Sequence, residues 1–518
     1  MDTSRVLKGS LIKVIAELRT IVPKEQFEAT VRKFIPDGLD GIENIQCEPV
    51  KRPSIDDSNK KTKKLRVFDI TKYRRRHIAL RVFYDGSTMG GFAQHDSSQL
   101  IEGVLSDNSI ETTLFTALKR VNLIDDITKC HYQRCGRTDI GVSAFNQVVS
   151  LYLRSNLRTG AEFVDEYDPS VVYNPPDSIP SKPLEEFDYS TVLNKVLPAN
   201  IRITGWCPVS RDFSARFSCC GRVYRYYFLR RGNDIECMRL ALKQLEGEHD
   251  FRNFCRIDTI NVCDFTRTIF KGDVVEIKKG MDSEHDVLAI EIIGRAFLWH
   301  QIRCIMSVLF LVGSGKESPD VVSQLLDIQK SPKKPQYIMA DPEPLVLYDC
   351  IFNPGDNAPD SQNKRYFDII KASPYFDAIE ASNEDTKYNS APCCFLNSLS
   401  DYGVQRLMDD MQSHLYTQSI AMSRYEQVTE ALQAEYAAKL PTLRKKISDF
   451  RELNTKKYTP LAKRTTAPSY EDRVRSLGEG SLQKLKNRYQ YVDLESNEFI
   501  PDVIKEKLNQ KCSVCCDN

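Results

Sequence analysis

The sequence predicts a mixed fold of the α+β (α/β) class, in which one core of strands and helices is followed by a helical extension. The core is predicted because β-branched and aromatic segments alternate with helical ones between about residues 77 and 353. The extension is predicted because apolar residues recur at helical spacing from Val404 onward. The chain has 518 residues, of which 41% are hydrophobic, so it can bury a core and is not wholly disordered.

Each element of the core follows from a local pattern. The strands are rich in β-branched and aromatic residues, and the first ends at the turn pair Asp85-Gly86. The apolar helix near the end of the core stops at Gly313-Ser314-Gly315. The predicted strands are His77–Tyr84, Gln147–Leu153, Val223–Leu229, Asp273–Ile277 and Val287–Ile293, and the predicted helices are Glu111–Val121 and Ile302–Val312.

The N-terminal segment, residues 1–65, is predicted to contain an amphipathic helix and a basic flexible linker. The alternative for the helix is an organelle transit peptide, but Asp2 and Glu17 are unusual for one, so an ordinary amphipathic helix is favoured. The apolar face of this helix consists of Leu7, Leu11, Ile15 and Leu18.

The linker is part of a basic stretch between Lys51 and His77, which has eleven Lys or Arg and three Asp. Up to Lys64 the stretch has almost no apolar residues, so it is predicted to be flexible. A solvated run, a nuclear-import signal and a contact with an RNA backbone all fit its charge. The whole chain has a net charge of only +1, which excludes an indiscriminate polyanion binder but not a local basic groove.

The cysteines and the apolar runs indicate the cellular setting. Sixteen cysteines are scattered along the chain without a secretory signal, which predicts reduced thiols in the nucleus or cytoplasm. Cys512 and Cys515 have no second ligand pair nearby and indicate a thiol-rich tail rather than a zinc site. The longest apolar run, Ile305–Val312, is too short to cross a bilayer, so a soluble protein without membrane contact is expected.

Two motifs that suggest a bound ligand fail on inspection. Gly313–Lys316 is similar to part of a P-loop, but Phe310 and Glu317 occupy positions where that motif needs Gly and Ser or Thr. His249 has no partner at the spacing of metal ligands. The sequence therefore predicts no metal and no cofactor.

Three clusters carry candidate chemistry. Cys135–Val142 places Asp139 in a loop beside a strand, with a plain Asp-x-Gly turn as the alternative. Ser214–Tyr227 alternates basic and aromatic residues, which suits stacking on an unpaired RNA base, with a half-buried tyrosine-rich strand as the alternative. Gly294–Arg303 puts Arg303 in the first turn of an apolar helix. A buried guanidinium there needs a carboxylate partner, and an exposed one would simply reach water.

In this order, these clusters resemble the TruA family of tRNA pseudouridine synthases, over about His77 to Phe352. The general family motifs are Tyr84–Gly86, Gly91–Phe92, Gly136–Val142, Ala215–Ser218, Arg222–Tyr226, Gly247–Phe251 and Phe297–Arg303. Finer features are similar to the eukaryotic branch that modifies positions 38 and 39 of the tRNA anticodon stem-loop. These features are Phe68–Tyr73, Gly141–Phe145, Met339–Asp341 and Leu345–Cys350.

The resemblance implies a pseudouridine synthase fold whose core has two halves, residues 66–205 and 206–353. Each half would contribute an antiparallel sheet with helices, and a central cleft would run between them. Residues 354–518 would then form a basic C-terminal extension of loops and helices, which also looks like that of the eukaryotic branch.

The resemblance also implies roles for four residues. Asp139 matches the catalytic aspartate, and Arg303 matches the arginine that pairs with it. Tyr224 matches the tyrosine that stacks on the target base and is a candidate for taking the C5 proton. Arg137 matches the arginine that displaces and holds the flipped nucleotide. The other substrate-binding candidates are Arg216, Arg222 and Arg225, and the arginines are expected to form one positive surface leading to Asp139.

The implied reaction converts uridine to pseudouridine in tRNA with no net redox change and no group donor. One carboxylate can serve it as nucleophile or base, so no cofactor is needed. The expected partner is tRNA, and a homodimer is possible. Ile140 and Ser87 depart from the eukaryotic branch, which leaves the exact target uridine open. A non-catalytic RNA-binding protein would be expected to lack one of the three catalytic residues, whereas an enzyme acting elsewhere on RNA would retain them.

Overall fold

The computed structural model of the chain describes residues 68–94, 108–175, 184–355, 361–375, 393, 395, 401–435, 458–492, 497 and 499–509. The predicted N-terminal helix, most of the basic stretch and the cysteine pair near the C-terminus lie outside the described residues.

Within the described residues, nine strands form a single mixed sheet with the spatial order β4-β1-β3-β9-β5-β8-β7-β6, and the short β2 pairs with β3. All five predicted strands are present, most of them longer than predicted, while the others escaped prediction because they are short or lack a clear alternation. The strands are β1 Arg75–Tyr84, β2 Gln133–Arg134, β3 Ser143–Arg154, β4 Ile201–Pro208, β5 Gly221–Leu229, β6 Gly247–Asp250, β7 Thr266–Lys278, β8 Val287–Gly294 and β9 Leu345–Ile351.

The last strand, β9, joins the two predicted halves of the core. It pairs parallel with β3, where Ser143 and Ala144 lie opposite Val346 and Leu347. Its other edge pairs antiparallel with β5. The α+β class is therefore confirmed, but the two expected antiparallel sheets are continuous with each other. The boundary at residue 205 stays a prediction.

The helices cover the sheet and form the C-terminal extension. Both predicted core helices are present, and the apolar one ends at Gly313, with Gly315 adopting a φ of +70° just beyond it. The helices are α1 Ile110–Arg120, α2 Tyr189–Asn194, α3 Ile235–Lys243, α4 Gln301–Gly313, α5 Val321–Leu326, α6 Gln362–Lys371, α7 Asp401–Glu435, α8 Tyr470–Arg475, α9 Glu479–Arg488 and α10 Asp502–Asn509.

Two large apolar clusters fill the core, and they meet near the centre of the sheet. The first packs α1 and α2 against β1, β3 and β4. The second surrounds α4 and extends to Tyr470, Leu485 and Ile504 of the C-terminal helices. Of the described helices, none is long and apolar enough to span a membrane.

The helical spacing from Val404 correctly predicted a helix, but those of its apolar side chains that the structure describes belong to none of the buried apolar clusters. Val404, Met408 and Leu415 of α7 are exposed. An ionic contact of 3.0 Å between Asp410 Oδ2 and Arg202 Nε links α7 to β4.

Leu347 is expected to contribute strongly to stability because it is fully buried where β9 joins the two halves. Leu347→Ala should lower the free energy of unfolding by about 2–5 kcal/mol, since it removes apolar contacts and leaves a cavity. Leu240→Ala on α3 is the control, because that side chain is 60% exposed and should change stability by only about 0.5 kcal/mol. Urea unfolding measures both, and equal losses would contradict this account of the junction.

Candidate active site

The Asp139 loop lies between β2 and β3 and contains the turn that the sequence suggested. The Val142 amide donates to the Asp139 carbonyl at 3.1 Å, and Gly141 has a φ of +83°, a conformation that favours glycine. The turn is thus closed by the backbone. The Asp139 side chain points instead toward α4 and the segment before it.

Residues at the end of β1 and just after it hold the Asp139 loop in place. The Tyr84 hydroxyl and the Thr138 hydroxyl share a buried hydrogen bond of 2.8 Å, and the Phe92 amide donates to the Thr138 carbonyl at 3.2 Å. Gly86 lies so close to the loop that a Cβ there would be 2.0 Å from the Val142 carbonyl oxygen. The Tyr84–Gly86 and Gly91–Phe92 motifs therefore place Asp139.

The Asp139 carboxylate is largely buried, with 26% of its side chain exposed, and it faces cationic and polar groups. Its Oδ2 lies 3.9 Å from a terminal nitrogen of Arg303 and 3.5 Å from His300 Nε2. Burial raises the pKa of Asp139, while Arg303, a hydrogen bond from Trp299 and Arg256 each lower it. The net pKa is raised, so burial outweighs the groups that favour the charged form.

Arg303 is held in place by a segment that the sequence analysis did not connect with it. Its Nε donates to the Ala340 carbonyl at 2.8 Å. The Ala340 amide donates to the Ser307 hydroxyl at 2.9 Å, which ties residues 339–341 to α4. The Met339–Asp341 motif therefore orients the guanidinium of Arg303 toward Asp139.

His300 precedes α4 in a left-handed conformation, with a φ of 62° that is uncommon for residues other than glycine. Burial lowers its pKa to about 4, and the nearby charges of Arg303, Arg256 and Lys334 act in the same direction. At neutral pH the imidazole is therefore uncharged. It can contribute hydrogen bonding beside Asp139, but it does not add a positive charge there.

Tyr224 lies on β5 where the two apolar clusters meet, and it contacts both of them. Its ring packs edge-on against Phe297, with the ring centres 5.1 Å apart. Burial raises the pKa of Tyr224, and the neighbouring Cys350 and Tyr84 raise it further. The phenol therefore keeps its proton at neutral pH.

Arg137 and Arg216 lie near each other, and much of each side chain is exposed. Partial burial of the Arg137 guanidinium lowers its pKa, and the nearby charges of Arg134 and Arg216 lower it further. The structure therefore brings these two candidates together next to the Asp139 loop, where two like charges are available to an anionic ligand.

Arg222 hydrogen-bonds to the backbone of the protein itself. Its guanidinium donates to the carbonyls of Arg295, Cys135 and Arg216 at 2.5, 3.0 and 3.1 Å. It therefore links the Asp139 loop to the Arg216 segment, and any contact with a substrate stays a prediction.

Arg225 does not belong to the cluster, so the expectation of one positive surface formed by all the arginines is wrong for this residue. Successive side chains of a strand point to opposite faces, and Arg225 lies on the face of β5 opposite Tyr224. There it hydrogen-bonds Glu291 at 2.7 Å and lies over the Tyr348 ring at 3.7 Å.

Among the described residues, no group of three or more His, Cys, Asp or Glu is arranged to hold a metal ion. The eleven described cysteines are free thiols. Cys135, Cys219 and Cys350 lie close together among them and are buried beside Arg222.

The chain has clear relatives among characterised protein families. Residues 241–353 match the family described as tRNA pseudouridine synthase. A Caenorhabditis elegans protein named as a probable tRNA pseudouridine synthase is 37% identical over 57% of this chain and 72% of that protein. The chain belongs to the tRNA pseudouridine synthase family. The resemblance noted from the sequence motifs is thereby confirmed.

Other members of the tRNA pseudouridine synthase family are also similar to this chain. A Mus musculus protein named tRNA pseudouridine(38/39) synthase is 43% identical over 60% of this chain and 61% of that protein. A Saccharomyces cerevisiae protein with the same name is 37% identical over 63% of this chain and 67% of that protein. The chain spans about six tenths of the length of the mammalian relatives that it matches.

The sequence alone indicated no role for several residues that lie at this site. Thr138, Trp299 and His300 lay inside the recognised motifs, so their positions carried a signal, although no role was assigned to them. Arg256 lay outside every motif. Its proximity to Trp299 depends on how the segment after β6 folds back, which no local pattern reveals.

Gly86→Ala is expected to destabilise this family member because its Cβ would collide with the Val142 carbonyl. The backbone would have to shift, at a cost of about 1–3 kcal/mol in the free energy of unfolding. Gly136→Ala is the matched control, since a Cβ there meets nothing within 4 Å. Chemical denaturation compares the two, and an unaffected Gly86→Ala protein would refute the close packing of the loop.

Asp139→Asn is expected to raise the stability at neutral pH. Because the pKa of Asp139 is higher in the folded state, ionising this carboxyl destabilises the fold as the pH rises through that pKa. Asparagine carries no charge and avoids this effect. The melting temperature of Asp139→Asn should exceed that of the wild type at pH 7, and the difference should shrink as the pH falls toward about 4. A difference that grows on acidification would show that the pKa is lowered instead.

Proposed function

We propose that this protein is a tRNA pseudouridine synthase that isomerises uridine at positions 38 and 39 of the anticodon stem-loop. The observation that carries the proposal is the buried Asp139 carboxylate, held by its loop and faced by Arg303. The target positions are proposed because two relatives at 37–43% identity are named for them.

The proposed reaction breaks the N1–C1′ bond of uridine, rotates the base and forms a C5–C1′ bond. C5 loses a proton and N1 gains one, so atoms and electrons balance within the nucleotide. The Asp139 carboxylate faces Arg303 and His300, and it acts as nucleophile or base. Partial burial of Asp139 removes water from around the carboxylate, which makes the carboxylate more reactive. The charge of Arg303 favours the ionised form of Asp139.

The target base must leave the stacked stem-loop to reach Asp139, at a cost of a few kcal/mol. The exposed Arg137 and Arg216 offset this cost by binding phosphates beside the Asp139 loop. Tyr224 contributes its ring to the flipped base. Because its pKa is raised, Tyr224 takes part in proton transfer as a neutral phenol. When its oxygen accepts a proton, the phenol releases its own hydroxyl proton.

Asp139→Asn should abolish pseudouridine formation because the amide is neither a nucleophile nor a base. Single-turnover assays on tRNA with uridine at positions 38 and 39 measure the loss, and filter binding should show affinity for tRNA within about threefold of the wild type. Asp282→Asn is the control, because that carboxylate is 62% exposed in the β7–β8 loop. An active Asp139→Asn protein would overturn the assignment.

The target position has its own experiment, because Ile140 and Ser87 depart from the eukaryotic branch. Pseudouridine is mapped across cellular RNA before and after deletion of the gene. Loss at positions 38 and 39 of tRNA alone supports the proposal. Loss at other sites would indicate a related enzyme with a different target.

We also propose a nuclear or cytoplasmic location and a homodimer. The location is supported by the free thiols of the described cysteines, which suit a reducing compartment. The dimer is supported only by the family resemblance. Imaging of a tagged chain tests the first, and sedimentation analysis tests the second.

A further inference from the structure

An exposed aromatic and cationic pair lies beside Asp139. The Arg256 guanidinium lies over the Trp299 indole at 4.3 Å from the ring centre, and the Arg256 amide donates to the Trp299 carbonyl at 2.9 Å. Both side chains are exposed, and 43% of Trp299 is accessible. An exposed indole under a guanidinium offers a flat surface on which an aromatic ligand can stack.

This pair is coupled to the reactive carboxylate. Trp299 hydrogen-bonds Asp139, and the charge of Arg256 acts on both Asp139 and His300. The Trp299 and His300 rings lie 4.9 Å apart, so the indole lies next to the imidazole that faces Asp139. A ligand on the pair would therefore lie directly next to a group that reacts at Asp139.

The Arg256 segment also reaches toward the other side of the site. Asp258 is close enough to Arg137 to raise its pKa, against the larger effects that lower it. Arg137 is the candidate for holding the displaced nucleotide. The exposed pair thus lies near the place where the target nucleotide would leave the RNA stack.

We propose that Trp299 and Arg256 form a stacking platform for the base of the nucleotide next to the target uridine in the RNA. A base presents a flat π surface that stacks on an indole or a guanidinium whatever its sequence. The positive charge of Arg256 suits the adjoining phosphate. This inference rests on the proposed function, since it takes RNA as the substrate.

The chain offers a direct probe because it has only two tryptophans, Trp206 and Trp299. Trp206 lies on β4 and packs edge-on against Tyr189 at 4.9 Å between ring centres. In a Trp206→Phe protein, all tryptophan emission comes from Trp299. Stacking of a base on the indole is expected to quench this emission.

The experiment adds a short RNA hairpin with the sequence of a tRNA anticodon stem-loop to the Trp206→Phe protein. Two further hairpins lack the base on the 5′ side or on the 3′ side of the target uridine. Anisotropy of a labelled RNA end establishes saturation in each case. We expect quenching by the intact hairpin and its loss with one of the abasic hairpins. No quenching at saturation, or equal quenching by all three hairpins, would overturn the platform.

A second measurement separates stacking from the hydrogen bond to Asp139. Trp299→Ala should raise KM by about tenfold, because it removes a stacking surface. Trp299→Phe keeps a stacking ring but lacks the indole N–H, so it should leave KM near that of the wild type and change kcat. A KM that rises equally in both variants would contradict the platform.

The failure of the platform can be distinguished from the failure of the proposed function. Pseudouridine formation is measured on the same hairpins by the wild-type protein. Quenching without any pseudouridine would refute the proposed reaction and leave the platform standing. Pseudouridine formation without quenching would refute the platform alone.

Discussion

Burial and the charge of Arg303 act in opposite directions on the ionisation of Asp139, and the rest of the site depends on this balance. Burial disfavours the carboxylate, whereas Arg303 at 3.9 Å favours it. The two residues come from different parts of the chain, the loop before β3 and the first turn of α4. Their separation is fixed because β9 pairs with both β3 and β5 and makes one continuous sheet.

Much of the fold could be predicted because its strands and main helix have strong local patterns. The strand ending at Tyr84, the tyrosine-rich β5 and the apolar α4 all appeared as expected. The pairing of β9 with β3 could not be predicted, since only two residues of each strand are paired and parallel pairing leaves no sequence signal of its own. The exposure of Val404, Met408 and Leu415 on α7 could not be predicted either, because helical spacing identifies an apolar face but does not show whether other residues cover it.

For the site, the motifs predicted which residues gather, but not which way every side chain points. Asp139 and Arg303 meet as the resemblance implied, and Arg137 and Arg216 lie together. Arg225 was misplaced because basic and aromatic residues alternate on both faces of β5, and composition alone does not reveal which face meets the cleft. The geometry also explains the small residues in the motifs, since Gly86 leaves room for the loop that carries the carboxylate.

The central claim concerns the balance of burial and charge at Asp139, and carbon-13 NMR titration of its carboxyl tests it most directly. The protein is labelled at the aspartate carboxyl carbons, and the Asp139→Asn spectrum assigns the signal. In the wild type, the pKa of Asp139 should lie above the usual aspartate range, and in Arg303→Gln it should rise further, because a favourable charge is lost. A pKa below the usual range, or one that Arg303→Gln leaves unchanged, would contradict the account.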